Sequence, residues 1–381
     1  MRHPLSALAS FVAFAALALA AAPPEAEVQG LYEGTCKDAK GESKLELRMV
    51  AQGNGVYKVF ARRDLGDGKV ASIELQGKTV GEAVTVEGKA GDAEWKGKYA
   101  DGAIKGECGE LGTFEAKRVE KKSPTLGKKP PEGAVVLLDG KSFDELVRAG
   151  GQPWYLGDKS KEGWAVWEVP LRAIAKQPAA WPSKETPIPE GWELLKDRRQ
   201  VDVVLVIGED GSIQVPRGGM NSKRQFDGSF DAHVEFMNPF LPTAHSQGRG
   251  NSGVYLPNGD EIQVLDSFGD TTYKGGCCGG LYAYKDPDTM QVIESLGDKP
   301  ENKFTLASLP PLTWQTYDFE YRVEKKDGKP VGKPRVTIYH NGIKIHDNVQ
   351  PNHEAKKGGF HFQDHGNAVR YRNIWVLPLG D

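Results

Sequence analysis

Residues 260–266, Asp-Glu-Ile-Gln-Val-Leu-Asp, alternate strictly at their centre, with Ile262 and Val264 on one side and Glu261 and Gln263 on the other. Successive side chains of a strand face opposite sides of a sheet, so one face can meet a core while the other presents a carboxylate and an amide. The same two-residue period, or nearly so, returns at residues 45–50, 56–60, 72–75, 84–86, 112–116, 229–236, 314–322, 335–340, 359–363 and 371–377. Gly53-Asn54-Gly55, Asp67-Gly68, Asp101-Gly102 and Asn341-Gly342 punctuate these runs, and Asn, Asp and Gly tolerate the positive φ of tight hairpin turns. One weak helical patch stands at residues 171–175. The pattern predicts an all-β chain of antiparallel strands, its larger part a two-sheet sandwich.

Charge changes divide the 381 residues. Residues 28–120 read as a small antiparallel sandwich or barrel with no cluster of catalytic residue types, an accessory binding or spacer unit. Residues 117–133 are charged, proline-bearing and poor in apolar side chains, which places a linker at 121–133. The second domain runs over 134–381. Within it Trp154, Trp164 and Trp167 could wall a sugar groove or simply fill a core. Residues 170–200 are irregular and proline-rich, a surface insertion, and 201–207 reads as a buried strand.

The first 20 residues predict a cleaved signal peptide. Arg2 and His3 precede an alanine-rich apolar run, Ala18-Leu19-Ala20 fits the small-x-small cleavage pattern, and Pro23-Pro24 follow. The mature chain is therefore expected in the periplasm or secreted, with no membrane association after cleavage. The 49 basic and 52 acidic residues nearly cancel, which gives no reason to expect nucleic acid as a partner. Four cysteines in an exported chain invite pairing. Cys36 and Cys108 bracket the first domain and are expected to bridge it. Cys277 and Cys278 are neighbours, and a bond between them would be strained. The alternative there is one packed thiol and one near the surface.

A set of motifs resembles one family. Leu138-Asp139-Gly140-Lys141-Ser142-Phe143, Gly250-Asn251-Ser252-Gly253-Val254-Tyr255-Leu256, Glu261-Ile262-Gln263-Val264-Leu265-Asp266, Gly280-Leu281-Tyr282, Trp314-Gln315-Thr316-Tyr317, His340-Asn341-Gly342 and the segment 362–374 around Gln363-Asp364-His365-Gly366-Asn367 follow one another in that order. They resemble the 3-keto-disaccharide hydrolase family, in its planctomycete-type branch, over residues 134–381. The resemblance implies a concanavalin-like jelly-roll sandwich, export, and a carbohydrate substrate oxidised at C3. Residues 28–120 have no counterpart in it, and the doubled cysteine at 277–278 departs from it.

A 3-keto group makes the C2 proton acidic, and the enolate left behind can expel the aglycone from C1. That chemistry needs a base near C2, a positive or hydrogen-bonding group at the C3 oxygen, and a proton for the leaving oxygen. Candidate catalytic residues are Glu261 or His365 as base, Arg370 or Arg372 at the enolate, and Asp364 at the leaving group. Arg249, Asn251, Gln263, Gln363 and Tyr282 are the candidate substrate contacts. His361 shares a strand face with Gln363. Plainer readings stand beside these: Glu261 paired with Arg370 or Arg372 across strands, Asp364 and His365 as caps of a turn, Asn251-Ser252-Gly253 as only a turn, and Arg249 facing solvent. Arg370 and Arg372 share parity with Ile374 and Val376, so a bulge or a sheet rim is needed to turn them outward. His233, His340 and His346 are expected to be solvated. No cofactor is required by the sequence. A divalent metal is compatible with the oxygen and nitrogen ligand types of Glu261, Asp266, Asp270 and His365, although no established ligand motif is present. A two-carboxylate glycosidase could use Glu261 with Asp364 or Asp266. The rival class is a lectin-like protein whose polar face only grips glycans.

Overall fold

The computed structural model describes residues 24–39, 41–81, 83–141, 144–148, 210–215, 218–292 and 303–380. The expected leader, Trp154, Trp164, Trp167, the insertion at 170–200 and the strand at 201–207 lie outside them.

The first unit is a closed barrel of eight antiparallel strands in chain order: β1 (Gly30–Asp38), β2 (Gly41–Gly53), β3 (Val56–Gly66), β4 (Lys69–Val80), β5 (Ala83–Ala90), β6 (Ala93–Ala100), β7 (Ala103–Cys108) and β8 (Thr113–Val119). Its turns form where the sequence placed them. Asn54-Gly55, Asp67-Gly68 and Asp101-Gly102 all take positive φ at both positions, which matches the twist of the strands they join. β8 returns to pair with β1, from Leu31 opposite Val119 to Lys37 opposite Thr113, so the sheet has no open edge. Tyr32, Leu47, Met49, Tyr57, Trp95 and Phe114 are among the buried side chains that fill the interior.

Cys36 and Cys108 project into that interior as free thiols, with their sulfurs 2.7 Å apart. Oxidation is expected to join them. The bridge would close a loop of about 73 residues and stabilise the fold by about 4 kcal/mol in the chain-entropy description. Cys36→Ser/Cys108→Ser should then unfold at lower urea than the oxidised protein and match the reduced one. Two thiols that stay reactive in the folded, oxidised protein would refute the pairing.

Two sheets form the second unit: β9 (Val135–Leu138), β10 (Leu146–Arg148), β11 (Ile213–Gln214), β12 (Met220–Ser222), β13 (Phe230–Met237), β14 (Ser252–Tyr255), β15 (Glu261–Val264), the small pair β16 (Met290–Val292) and β17 (Lys303–Thr305), β18 (Gln315–Lys326), β19 (Lys329–His340), β20 (Ile343–Val349), β21 (His361–Phe362) and β22 (Arg370–Pro378). One sheet has five strands in the order β10-β12-β21-β14-β15. The other has seven, β11-β22-β13-β18-β19-β20 with β9 also on β22. Val254, Ile262, Val264 and Phe362 from the first pack against Phe230, Phe236, Tyr317 and Phe319 from the second, one shared core. This is the antiparallel two-sheet sandwich that the alternation predicted and that the family resemblance gave as a jelly roll. Asn341-Gly342 makes the β19–β20 turn as expected. Asp327-Gly328 makes another, between β18 and β19, which the sequence reading passed over.

Three histidines correct the expectation of solvated residues. His233, His340 and His346 are all fully buried. Burial holds His340 down at about 3 and His346 at about 4. His233 does point away from the core, but the linker covers it. Thr125 donates to Asp318, Gly127 N–H donates to Glu235, and His233 lies between those two carboxylates at 2.9 and 3.4 Å. Burial alone would lower His233; its two carboxylate partners outweigh that and raise it. Burial pushes Glu235 up, yet donors from His233, Asn373, Arg372 and Gly127 bring it down to about 2. The linker is thus a strap across the seven-stranded sheet, and its Lys128 adds an ion pair to Asp318 at 3.2 Å.

Barrel and sandwich meet through a core-like seam. Leu31, Val50 and Phe60 pack on Phe268 and Phe304. The buried Arg48 lies against both of those rings and donates to the Leu306 carbonyl at 2.8 Å. The two cysteines at 277–278 are both buried free thiols, neither bonded to each other nor split between core and surface: Cys278 faces Tyr317 Oη at 3.0 Å and Cys277 faces Met290 Sδ at 3.6 Å.

Candidate functional site

The face of the five-stranded sheet that points away from the core carries the polar side chains. Antiparallel register sets them in two rows. Asn221, His361, Tyr255 and Glu261 stand opposite one another on β12, β21, β14 and β15. One step along, Gln363, Gly253 and Gln263 form the second row, with Gln363 N–H donating to the Gly253 carbonyl. Glu261, Gln263 and Gln363 thus meet as the sequence suggested, but with β14 between them.

That central strand explains Gly253. Its φ is not positive, and it lies inside β14 rather than in a turn. A Cβ there would sit 2.2 Å from Glu261 Oε1. The glycine leaves the space in which the Glu261 carboxylate lies across the sheet. The turn proper is at Gly250, with φ 62°.

Glu261 is 8 % exposed and has no ion-pair partner among the described residues. Burial pushes its carboxyl up to about 7, and a hydrogen bond from Tyr255 pulls weakly the other way. The Tyr255 hydroxyl also accepts from Gln363 Nε2 at 3.1 Å, so a chain of donors runs from Gln363 through Tyr255 to Glu261. Burial and the neighbouring carboxylate raise the Tyr255 phenol, which keeps it protonated. His361 stacks its edge near Tyr255 at 5.2 Å, with Nδ1 2.6 Å from Asn221 Oδ1. An amide oxygen only accepts, so Nδ1 donates in this contact. Burial lowers this imidazole and favours the neutral form.

Loops complete the face. Gln247 Oε1 accepts from Gln263 at 2.8 Å and from Asn251 at 3.2 Å, while its Nε2 donates to Thr272 and to the Gly276 carbonyl. The buried oxygens of Asn251, Gln263 and Gln363 have no donor among the described residues. Buried acceptors are costly unless satisfied, so three on one face favour a ligand rich in hydroxyls. Tyr282 N–H donates to the Glu261 carbonyl at 3.0 Å, and its hydroxyl meets that of Tyr273 at 2.6 Å. Both rings are part-exposed, a surface on which the apolar side of a sugar can rest.

Other candidates lie elsewhere. Arg370 and Arg372 are on β22, on the outer side of the opposite sheet. Arg370 Nη2 holds both oxygens of Asp210 at 2.8 Å, and Arg372 holds Glu235 at 2.7 Å. They neither pair with Glu261 nor reach its face. A bulge does turn them outward: against β13 the register shifts between Arg372 and Trp375, and Asn373 within it takes φ 45°. Asp364 accepts from Gly218 N–H at 3.0 Å and from Gly366 N–H at 2.9 Å, a turn cap. His365 is exposed in that turn. Arg249 faces neither solvent nor ligand; it is fully buried on Asp266 at 2.7 Å. Asp266 is therefore occupied, and Asp270 accepts from Ser246 N–H. Glu261, Asp266 and His365 are not brought together, and the described residues hold no group of three ligand-type side chains. The sequence reading missed Tyr255, Asn221, Gln247 and Tyr273. Tyr255 shares parity with Gly253, which was a usable signal; the loop residues had none.

Comparison with known proteins adds the family. The model of the 3-keto-alpha-glucoside-1,2-lyase-like domain matches residues 133–377. Among solved structures, the chain is similar to a candidate glycosyl hydrolase from Parabacteroides distasonis at 24 % identity, over 66 % of this chain and 86 % of that one, with a TM-score of 0.43. A redesigned β barrel matches at 16 % identity over 26 % of this chain and 98 % of its own, with a TM-score of 0.24. No curated protein matches the chain. The family match covers well over half of the residues and the whole described sandwich up to Leu377, and on that ground the chain belongs to the family of 3-keto-alpha-glucoside-1,2-lyase-like domains.

Proposed function

We propose that the outer face of the five-stranded sheet binds a glycoside oxidised at C3 and cleaves it by elimination across C1 and C2. The observation that carries this is Glu261, a buried carboxylate with no cation beside it among the described residues and a pKa raised by burial to about 7. A general base works best when its pKa lies near the working pH. Glu261 takes the C2 proton, and the electron pair moves onto the C3 oxygen. The enolate then returns that pair to form the C1–C2 double bond as the C1–O bond breaks. The departing oxygen takes up a proton, which Glu261 now holds and can return. Water adds across the double bond to complete a hydrolysis. The Tyr255 hydroxyl, freed from Glu261 once that group is protonated, is a donor for the enolate oxygen. Asn251, Gln263 and Gln363 oxygens accept from sugar hydroxyls, and the Tyr273–Tyr282 pair supports a ring. The leader-like first 20 residues make export part of this proposal.

Purified protein should release monosaccharide from a 3-keto-disaccharide and none from the unoxidised disaccharide. Binding of both sugars without turnover would overturn the enzyme reading in favour of a glycan-binding protein.

A further inference from the structure

We propose that the seam between barrel and sandwich holds a second carbohydrate site, one suited to an acidic saccharide. A cavity of about 470 Å³ opens there, within the size range of small-molecule sites, which favour domain interfaces. Its sandwich wall is the segment Pro310-Pro311-Leu312-Thr313-Trp314. Trp314 is held in place: the Arg372 guanidinium lies 4.0 Å from its ring centre, and Arg372 is itself fixed by Glu235 at 2.7 Å. A ring fixed before binding loses little freedom when a sugar stacks on it. Beside it Leu312 takes φ 63°, a left-handed conformation that bulky side chains rarely adopt. Its N–H donates to the Asn238 carbonyl at 2.9 Å, yet its side chain is exposed at the cavity lip. An apolar side chain kept in a strained, exposed position points to a surface that something else contacts.

The barrel wall sets the charge. Arg118, Lys121 and Lys122 line the cavity against a single acid, Glu120. Lys121 is neutralised by Glu33 at 2.5 Å. Arg118 donates to the Glu27 carbonyl, a neutral acceptor, and neither it nor Lys122 has a carboxylate within ion-pair distance among the described residues. Arg118, Lys122 and the single carboxylate of Glu120 thus share the barrel wall, with Trp314 on the other. A neutral sugar would use only the ring; a uronic acid would use both walls. This site lies beside the outer side of the seven-stranded sheet and shares no residue with the face around Glu261.

The test is titration calorimetry of the full chain with digalacturonate and with maltose as the neutral control. Digalacturonate should bind, and Trp314→Ala and Lys122→Glu should each weaken it by about tenfold or more. Lys122 is exposed, so its variant reads the site even if Trp314→Ala disturbs Arg372. Glu261→Gln should leave this binding unchanged, which separates the result from the fate of the proposed reaction. Absence of heat, equal affinity for maltose, indifference to Lys122→Glu, or loss in Glu261→Gln would overturn the proposal.

Discussion

Glu261→Gln is expected to abolish turnover of a 3-keto-disaccharide and, at about pH 8, to make the protein more stable. Both effects have one cause. Burial raises the carboxyl from its ordinary 4.5 to about 7, so the folded protein favours the protonated form. A raised carboxyl contributes its stability below the unfolded value, and that contribution is lost as pH rises through about 7. At about pH 8 the fold therefore holds a charge it disfavours, at a cost of roughly 3 kcal/mol by proton linkage. Glutamine keeps the shape and removes the charge, and the loss of a charged acceptor for Tyr255 offsets part of the gain. A net gain on the order of 1–3 kcal/mol should appear in urea titrations at about pH 8 and vanish near pH 4. In the wild type, activity should climb as pH passes upward through about 7, because only the carboxylate can take the C2 proton. A collapse of stability in the variant, or turnover that survives it, would remove Glu261 from the role of base.

Arg249→Leu should cost the fold about 3–5 kcal/mol, the usual effect of leaving one half of a buried ion pair unpaired. Arg249 and Asp266 are both shielded from solvent, and Nε lies 2.7 Å from Oδ2. The guanidinium also reaches the carbonyls of Ala51, Pro242 and Ala244, each at 3.2 Å. Ala51 is on β2 of the barrel. The arginine thus pins the loop at 242–251 to the other unit, and that loop delivers Gln247 and Asn251 to the polar face. Arg249→Lys, which keeps the charge and loses the fork, should retain the fold better and still lower kcat/KM through a misplaced Gln247. Chemical denaturation and steady-state kinetics on both variants check this. A loss within about 0.5 kcal/mol for Arg249→Leu, as at an ordinary surface position, would contradict it.

The two predictions mark where sequence reading succeeded and where it stopped. Glu261, Gln263 and Gln363 were legible because strand parity is a local rule: once Ile262 and Phe362 are core, their neighbours face outward. Arg370 and Arg372 share parity with the core residues Ile374 and Val376, and the bulge at Asn373 that turns them outward was foreseen as one alternative. Which sheet they belong to was not, because strand order in a sandwich is set by non-local pairing. Arg249 shows the limit again. Its turn was visible, but its partners Ala51 and Gln29 are separated from it by 198 and 220 residues. His233 faced outward as the alternation said, and only the docked linker made it buried.

The sequence by itself determined the all-β class, the hairpin turns at Asn-Gly and Asp-Gly, and the face that unbulged strand residues such as Glu261 and Gln263 present. These follow from backbone sterics and a two-residue period, both of which are local. The tertiary structure decided that the first unit closes as a barrel, that the barrel clamps the loops of the sandwich, and that Gly253 exists to seat Glu261. It also decided which polar residues share a face. Register and sheet order bring Tyr255 and His361 beside Glu261 and carry both arginines to the opposite side, and burial, which no single strand reveals, sets the carboxyl near neutral pH.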